Sequence, residues 1–296
     1  MKKSESVNIE KLFVLFYASL LSGIGYLVFQ VLVDIFRNQN LEISGNYLGV
    51  SSFYLFLLGL IILFFFIKLL KKERLSDFGF DRFKTNDIRF VLLLFSLFFI
   101  VSVLSRIITP GFDVWYSTRL RLFDVNTLMK LLVVVVPISI VVEELITRSM
   151  IQSFLSKYFG SKASVFVVTV YFTLFHLGWL RESPGLSYSL AILISTLLFS
   201  FLAAILYERT KSVILTILFH LMVNSINLIQ IFLHKINNPL EMLLWFLWGA
   251  LFFVFFKRSI KALDISLKAL KSKKMNNADI IYLVLISIIP MLLIIL

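Results

Sequence analysis

The sequence predicts an all-α, polytopic transmembrane helix bundle of about eight to nine spanning helices, on three observations. Hydrophobic residues make up 59% of the 296-residue chain and charged residues 16%, against about 25% charged in an ordinary soluble domain. Several uninterrupted apolar runs reach the roughly 17 to 25 residues that a helix needs to cross a bilayer. Basic residues gather in the connectors between those runs, as they do in short cytoplasmic loops. A helix also satisfies its own backbone hydrogen bonds inside lipid, where an open sheet edge cannot.

Taken in order, spans are expected at 12–35, 48–70, 90–108, 130–156, 163–180, 187–207, 212–234, 239–256 and 279–296. The N-terminal MKKSESVNIEK leads into its apolar run without a small-residue cleavage site, so a retained first helix is expected rather than a removed signal peptide. The connector after the second span carries Lys68, Lys71, Lys72, Arg74, Arg82, Lys84 and Arg89. Those after the fourth and sixth carry Lys157 with Lys162 and Arg209 with Lys211, and that after the eighth carries seven basic residues from Lys257 to Lys274. If nine spans alternate, these connectors share one side, which puts the N-terminus in the cytoplasm, and the Lys-, Ile- and Phe-rich composition suggests a bacterial cell membrane. The connector from Arg106 to Lys130, with four basic residues, departs from the pattern.

A formal charge of +12 could suit nucleic acid, but the basic residues lie beside apolar runs and no nucleic-acid-binding motif is present. Anionic lipid headgroups are the expected partner instead. In KRSIKALDISLKALKSKK, Ile260, Leu263, Leu267 and Leu270 recur at helical spacing between lysines, which predicts an amphipathic helix on the cytoplasmic leaflet. The absence of cysteine excludes disulfides, thiolate metal sites and a cysteine nucleophile.

The stretch VVEELITRSM, residues 141–150, sets Glu143, Glu144 and Arg148 inside the fourth apolar run. A charge in a spanning helix costs about 2.5–3.5 kcal/mol on insertion scales, so such residues face a bundle interior and have partners. Glu144 and Arg148 stand at i and i+4 and can pair within the helix. Glu143 is rotated about 100° from Glu144 and is left to point at another helix. Pro137, up to two turns earlier, removes an amide donor and is expected to kink the helix beside it.

Three histidines are available. His176 lies in VVTVYFTLFHLGW, and His220 in ILFHLMVNSIN, with Asn224 one turn later on the same face. At about 1.5 Å rise per residue, Glu143 and His176 each lie about 21 Å from the basic residues flanking their helices, Asn224 about 20 Å and His220 about 13 Å. Helices four, five and seven therefore bring them to overlapping depths. His234 falls near the end of its helix and reads as an interfacial histidine.

Such a cluster can hold and deprotonate a water, with Glu143 and a histidine as base, while a second histidine and an amide donate to the oxyanion formed at a peptide carbonyl. Glutamate and histidines can alternatively bind zinc and activate its water, through Glu143, His176 and His220. No HExxH helix supports that arrangement, and no cofactor is firmly expected.

The order of motifs resembles the CPBP intramembrane proteases, also called the Abi family, which include CAAX prenyl endopeptidases and bacteriocin-processing or self-immunity proteins. Its EExxxR motif stands as Glu143, Glu144 and Arg148, its FxxxH as Phe172 and His176, and its HxxxN as His220 and Asn224. YERTKSVILTILFHLMVN is similar to the family's segment joining the last two motif helices, including Tyr207, Arg209 and Thr210. DFGFDRFK, before a transmembrane helix, has a general likeness. The chain departs from the family in carrying Ala203 and Ala204 where glycines are usual.

The resemblance implies a division into N-terminal helices with a basic loop over 1–129, a catalytic core over 130–234 and C-terminal helices with the basic connector over 235–296. It implies that Glu143 and His176 activate water, that His220 and Asn224 stabilise the oxyanion, and that Glu144 and Arg148 orient the site. For Phe172, an aromatic one turn before a histidine, packing is the expected role. The function expected is an intramembrane endopeptidase acting on a membrane-associated peptide or protein, of CAAX type or a bacteriocin or signalling-peptide precursor. A non-proteolytic immunity or scaffold protein of the same family is the alternative. A proton-relaying transporter would call for an inverted repeat or paired broken helices, and neither is evident.

Overall fold

The computed structural model describes residues 83–109, 136–176 and 186–295, with isolated positions 14, 76, 79, 80, 125, 129, 132 and 133. Apart from position 14, the first two expected spans, 12–35 and 48–70, lie outside the described residues. Among the described residues the chain is helical, without strands: α1 (Thr85–Ile108), α2 (Val136–Glu144), a π-helix (Leu145–Gln152), α3 (Ser153–Phe159), α4 (Ser161–Phe175), α5 (Leu186–Thr210), α6 (Val213–Lys235), α7 (Leu240–Ala269) and α8 (Asn277–Ile295). Four of these, α1, α5, α6 and α7, are long and apolar enough to cross a membrane.

Local chemistry sets the helix ends. Asp87 accepts the Lys84 N–H at 2.8 Å at the start of α1, which occupies one of the amide donors left over at a helix N-terminus. Ser212 caps α6 by accepting from the Leu215 N–H. Just before it, Lys211 takes a positive φ of 51° and turns the chain sharply from α5 into α6.

Two apolar clusters hold the bundle. Phe90, Leu94 and Phe98 of α1 pack with Phe199, Ala203 and Ala204 of α5, Phe219 of α6, and Trp248 and Phe252 of α7. Ile151 of the π-helix, Leu155 of α3, Val168 and Tyr171 of α4, and Leu283 and Ile286 of α8 form the second. Between apolar helices in lipid, close van der Waals packing and small interfacial residues replace the drive to leave water. Ala203 and Ala204 are both fully buried, and the Gln152 side-chain amide reaches the Ala204 carbonyl at 2.8 Å. Alanine at both positions thus permits close approach of α5 to the π-helix.

Two expectations are corrected. The helix expected over 163–180 is α4, which ends at Phe175; its 15 residues are fewer than the roughly 20 of a full crossing. His176 therefore stands at a helix C-terminus. Second, the basic segment after the eighth span is not a separate surface helix: α7 runs unbroken for 30 residues from Leu240 to Ala269. Leu263, Leu267 and Leu270 pack on the first cluster, while Ile260 is 44% exposed. Periodicity located the apolar stripe, and packing decided that it faces protein. Pro137 lies in α2, and π geometry stands on either side of it, at 132–133 and in the π-helix that begins immediately after Glu144.

The DFGFDRFK segment is tied to the α5–α6 turn. The Val213 N–H donates to the Gly79 carbonyl at 2.8 Å, and Phe80 pairs with Ser212 in an isolated antiparallel bridge. Gly79 has φ +79°, and a Cβ there would lie 2.8 Å from the Tyr207 ring and 3.0 Å from the Lys211 carbonyl. Gly79→Ala is expected to destabilise the protein by about 1–3 kcal/mol through backbone strain and crowding, read as a lower Tm in detergent. An unchanged Tm would mean that this docking does not support the fold.

Candidate active site

The site begins with the pair that sequence spacing anticipates. Arg148 Nε donates to Glu144 Oε2 at 3.1 Å, and both side chains are wholly buried. Glu144 does not stop at its own helix: its other oxygen, Oε1, lies 2.9 Å from Nδ1 of His220 on α6. An ionised carboxylate only accepts, so Nδ1 carries the hydrogen, and Nε2 is the nitrogen left for chemistry. The pair that spacing anticipates thus extends to a second helix.

The guanidinium is placed by further contacts. Arg148 Nη2 donates to the Ser200 hydroxyl of α5 at 3.1 Å, and Ser200 in turn donates to the Val168 carbonyl of α4 at 3.4 Å. Its carbon lies 5.4 Å from the centre of the Phe172 ring, within cation–π range. Nη1 is buried without a hydrogen-bond partner.

Glu143 sits beside this array and is partly exposed, on a different face from Glu144 as expected. It lies within electrostatic reach of His220, Glu144 and Arg148, and its backbone carbonyl accepts from the Thr147 hydroxyl one turn on. His176 continues from the end of α4. Its Nδ1 lies 2.8 Å from the Phe172 carbonyl; a carbonyl can only accept, so this tautomer leaves the Nε2 lone pair available as a base. His176 is in turn within electrostatic reach of His220. Asn224, one turn beyond His220 on α6, is partly buried.

Residues from α2, the π-helix, α4 and α6 thus gather around His220: Glu144 bonds it and is bonded by Arg148, and Glu143 and His176 each lie within its electrostatic reach. His234 stays apart: it is exposed, and its Nδ1 lies 3.0 Å from Glu241 across the α6–α7 turn. Phe172 packs, as expected, but against both histidines, with ring centroids 4.6 Å from His176 and 6.0 Å from His220.

Zinc would need at least three of these ligands to converge. Among the described residues no group of three His, Asp or Glu side chains is placed to hold a metal ion, so Glu143, His176 and His220 do not fit a zinc site in this arrangement. Sequence reasoning missed Ser200, whose signal was a lone hydroxyl in an apolar run, and Phe199, which carries none in a chain with 32 phenylalanines. It also missed a polar lock below the site, where Gln152 Nε2 and the Ser156 hydroxyl donate to Glu208 at 3.2 and 2.9 Å and Ser153 bonds Tyr207.

Removing one member of a buried ion pair leaves the other uncompensated. Arg148→Met is therefore expected to cost about 3–5 kcal/mol in stability. The double variant Glu144→Leu, Arg148→Met should be less damaged than Arg148→Met alone, and a double-mutant cycle in detergent measures the difference. Strict additivity would contradict the pairing.

No curated protein and no solved structure matches the chain. Residues 125–226, which contain all three motifs, match the family model described as type II CAAX prenyl endopeptidase Rce1-like, in agreement with the CPBP family that those motifs resemble.

Proposed function

We propose that the protein is an intramembrane endopeptidase that hydrolyses a peptide bond of a membrane-associated peptide or protein. The observation that carries the reading is the bridge from Glu144 to His220, 2.9 Å across two helices, with Glu143 and His176 both within electrostatic reach of that imidazole. The match of residues 125–226 to a CAAX prenyl endopeptidase family supports the reaction class.

In this reading Glu143 and the Nε2 of His176 hold a water and accept its proton as its oxygen attacks the peptide carbonyl carbon. The oxyanion that forms is met by donors from α6, His220 Nε2–H and the Asn224 amide. To donate from Nε2 while its Nδ1–H bonds Glu144, His220 must carry both protons. The Glu144 carboxylate, fixed by Arg148, is then its counter-ion. Collapse of the tetrahedral intermediate breaks the C–N bond, and the proton first taken from water passes to the departing amine. Substrates of the CAAX type, whose C-terminal bond is cut near a lipid anchor, suit a site enclosed by apolar helices.

Turnover of farnesylated CAAX-type and unmodified peptides by the full chain in liposomes tests this. Glu143→Gln and His176→Ala are each expected to lower the rate by about 100-fold or more, and Asn224→Ala by about 100- to 1,000-fold. Chelator should leave the wild-type rate unchanged; inhibition would restore the zinc reading. Variants that keep full biological activity in cells while no peptide is cut would favour an immunity or scaffold role.

A further inference from the structure

Glu144 has two partners, His220 and Arg148, and each is contacted by one of two consecutive residues of α5. The Phe199 ring lies against His220, centroids 4.3 Å apart at 47°, and Ser200 accepts from Arg148 at 3.1 Å. We propose that Phe199 and Ser200 are positioning residues of the active site, Phe199 seating the His220 imidazole and Ser200 anchoring the Arg148 guanidinium. The inference rests on the endopeptidase reading above and adds two residues outside its motifs.

One hydrogen bond at Nδ1 fixes one atom of His220 and leaves the ring free to swing about it. A second contact is needed to aim Nε2, since reacting groups have to be held to within about 0.5 Å and 10–20°. Phe199 supplies a ring face and is itself braced. It stacks on Phe219 at 5.5 Å and 8° and meets the edge of Phe98 at 6.2 Å. It also touches Phe172 at 5.6 Å, and Phe172 carries His176 at 4.6 Å. Phe172 of FxxxH touches both imidazoles, and Phe199 of α5 packs on Phe172 and on His220.

Ser200 acts on the other partner. Of the three guanidinium nitrogens, Nε bonds Glu144, Nη2 bonds Ser200 and Nη1 has no hydrogen-bond partner. Because Ser200 donates its own hydrogen to Val168, its lone pairs are directed to Arg148. Its loss would leave two of three buried nitrogens without a hydrogen-bond partner and let the guanidinium, and with it Glu144, turn.

The test uses the full chain in nanodiscs with isotope-labelled histidine. The chain has only three histidines, so each signal can be assigned by single replacement. Phe199→Leu is expected to lower kcat about tenfold or more with KM unchanged, and to shift the His220 ring signals while those of His234 stay in place. Phe199→Tyr, which keeps the ring, should restore both. Ser200→Ala should lower kcat similarly, with rescue by Ser200→Thr. Phe252→Leu removes a ring from the same core, one that packs on Phe99, Phe253 and Phe256, and should leave kcat within about twofold.

Equal loss of kcat in Phe252→Leu and Phe199→Leu would reduce Phe199 to packing and overturn the proposal, as would His220 signals unmoved in Phe199→Leu. If the wild type cuts neither farnesylated nor unmodified peptide, the endopeptidase reading fails. The His220 signals then decide separately whether Phe199 orients that ring.

Discussion

A buried carboxylate with two cationic or protonatable partners on two helices is the constraint from which the rest of the site follows. Glu144 is wholly buried, with Arg148 on one oxygen and His220 on the other. Placing an ion in such surroundings is unfavourable unless its charge is matched and its lone pairs are filled. Arg148 supplies the charge from one turn away, and His220 supplies a donor from a different helix. Satisfying one residue thereby fixes the spacing of α2 and α6, and with it the depth at which Glu143 and Asn224 stand.

Around that centre the apolar residues act as tooling. Ala203 and Ala204 let α5 approach the π-helix closely enough for Gln152 to reach a backbone carbonyl, and Phe172 of α4 packs on both histidines and on Phe199 of α5. The polar lock around Glu208 holds the end of the bundle where α3 and α5 meet: its carboxylate accepts from Gln152, Ser156 and Lys211. Interhelical hydrogen bonds of this kind contribute about 0.6 kcal/mol on average in membrane bundles. Several together favour one arrangement of helices over its neighbours.

Much of this was legible in the sequence because charge in an apolar run has few explanations. Glu144 with Arg148 followed from helical spacing, and His176 and His220 from being imidazoles at membrane depth. What could not be read depends on which face of an element meets protein. Leu263 and Leu267 have the period of a surface helix, and only the presence of the first apolar cluster makes them interior. Glu144 reaching His220 rather than Glu143 doing so turns on the local pitch of one helix, which no composition encodes. Phe199 is one of 32 phenylalanines, and its position alone distinguishes it.

The π-helix is where pitch and function meet. An i→i+5 turn holds more residues than an α-turn, and here it occupies Leu145–Gln152, between the glutamates and the lock at Glu208. Glu144 is tied to α6 above and Gln152 to α5 below, so the orientation of one anchor relative to the other depends on the number of residues wound between them. Chain length, more than residue identity, becomes the inherited variable of this segment. A single-codon deletion within 145–152 could relax it to α geometry and turn the two anchors out of phase, although every polar side chain named above was retained.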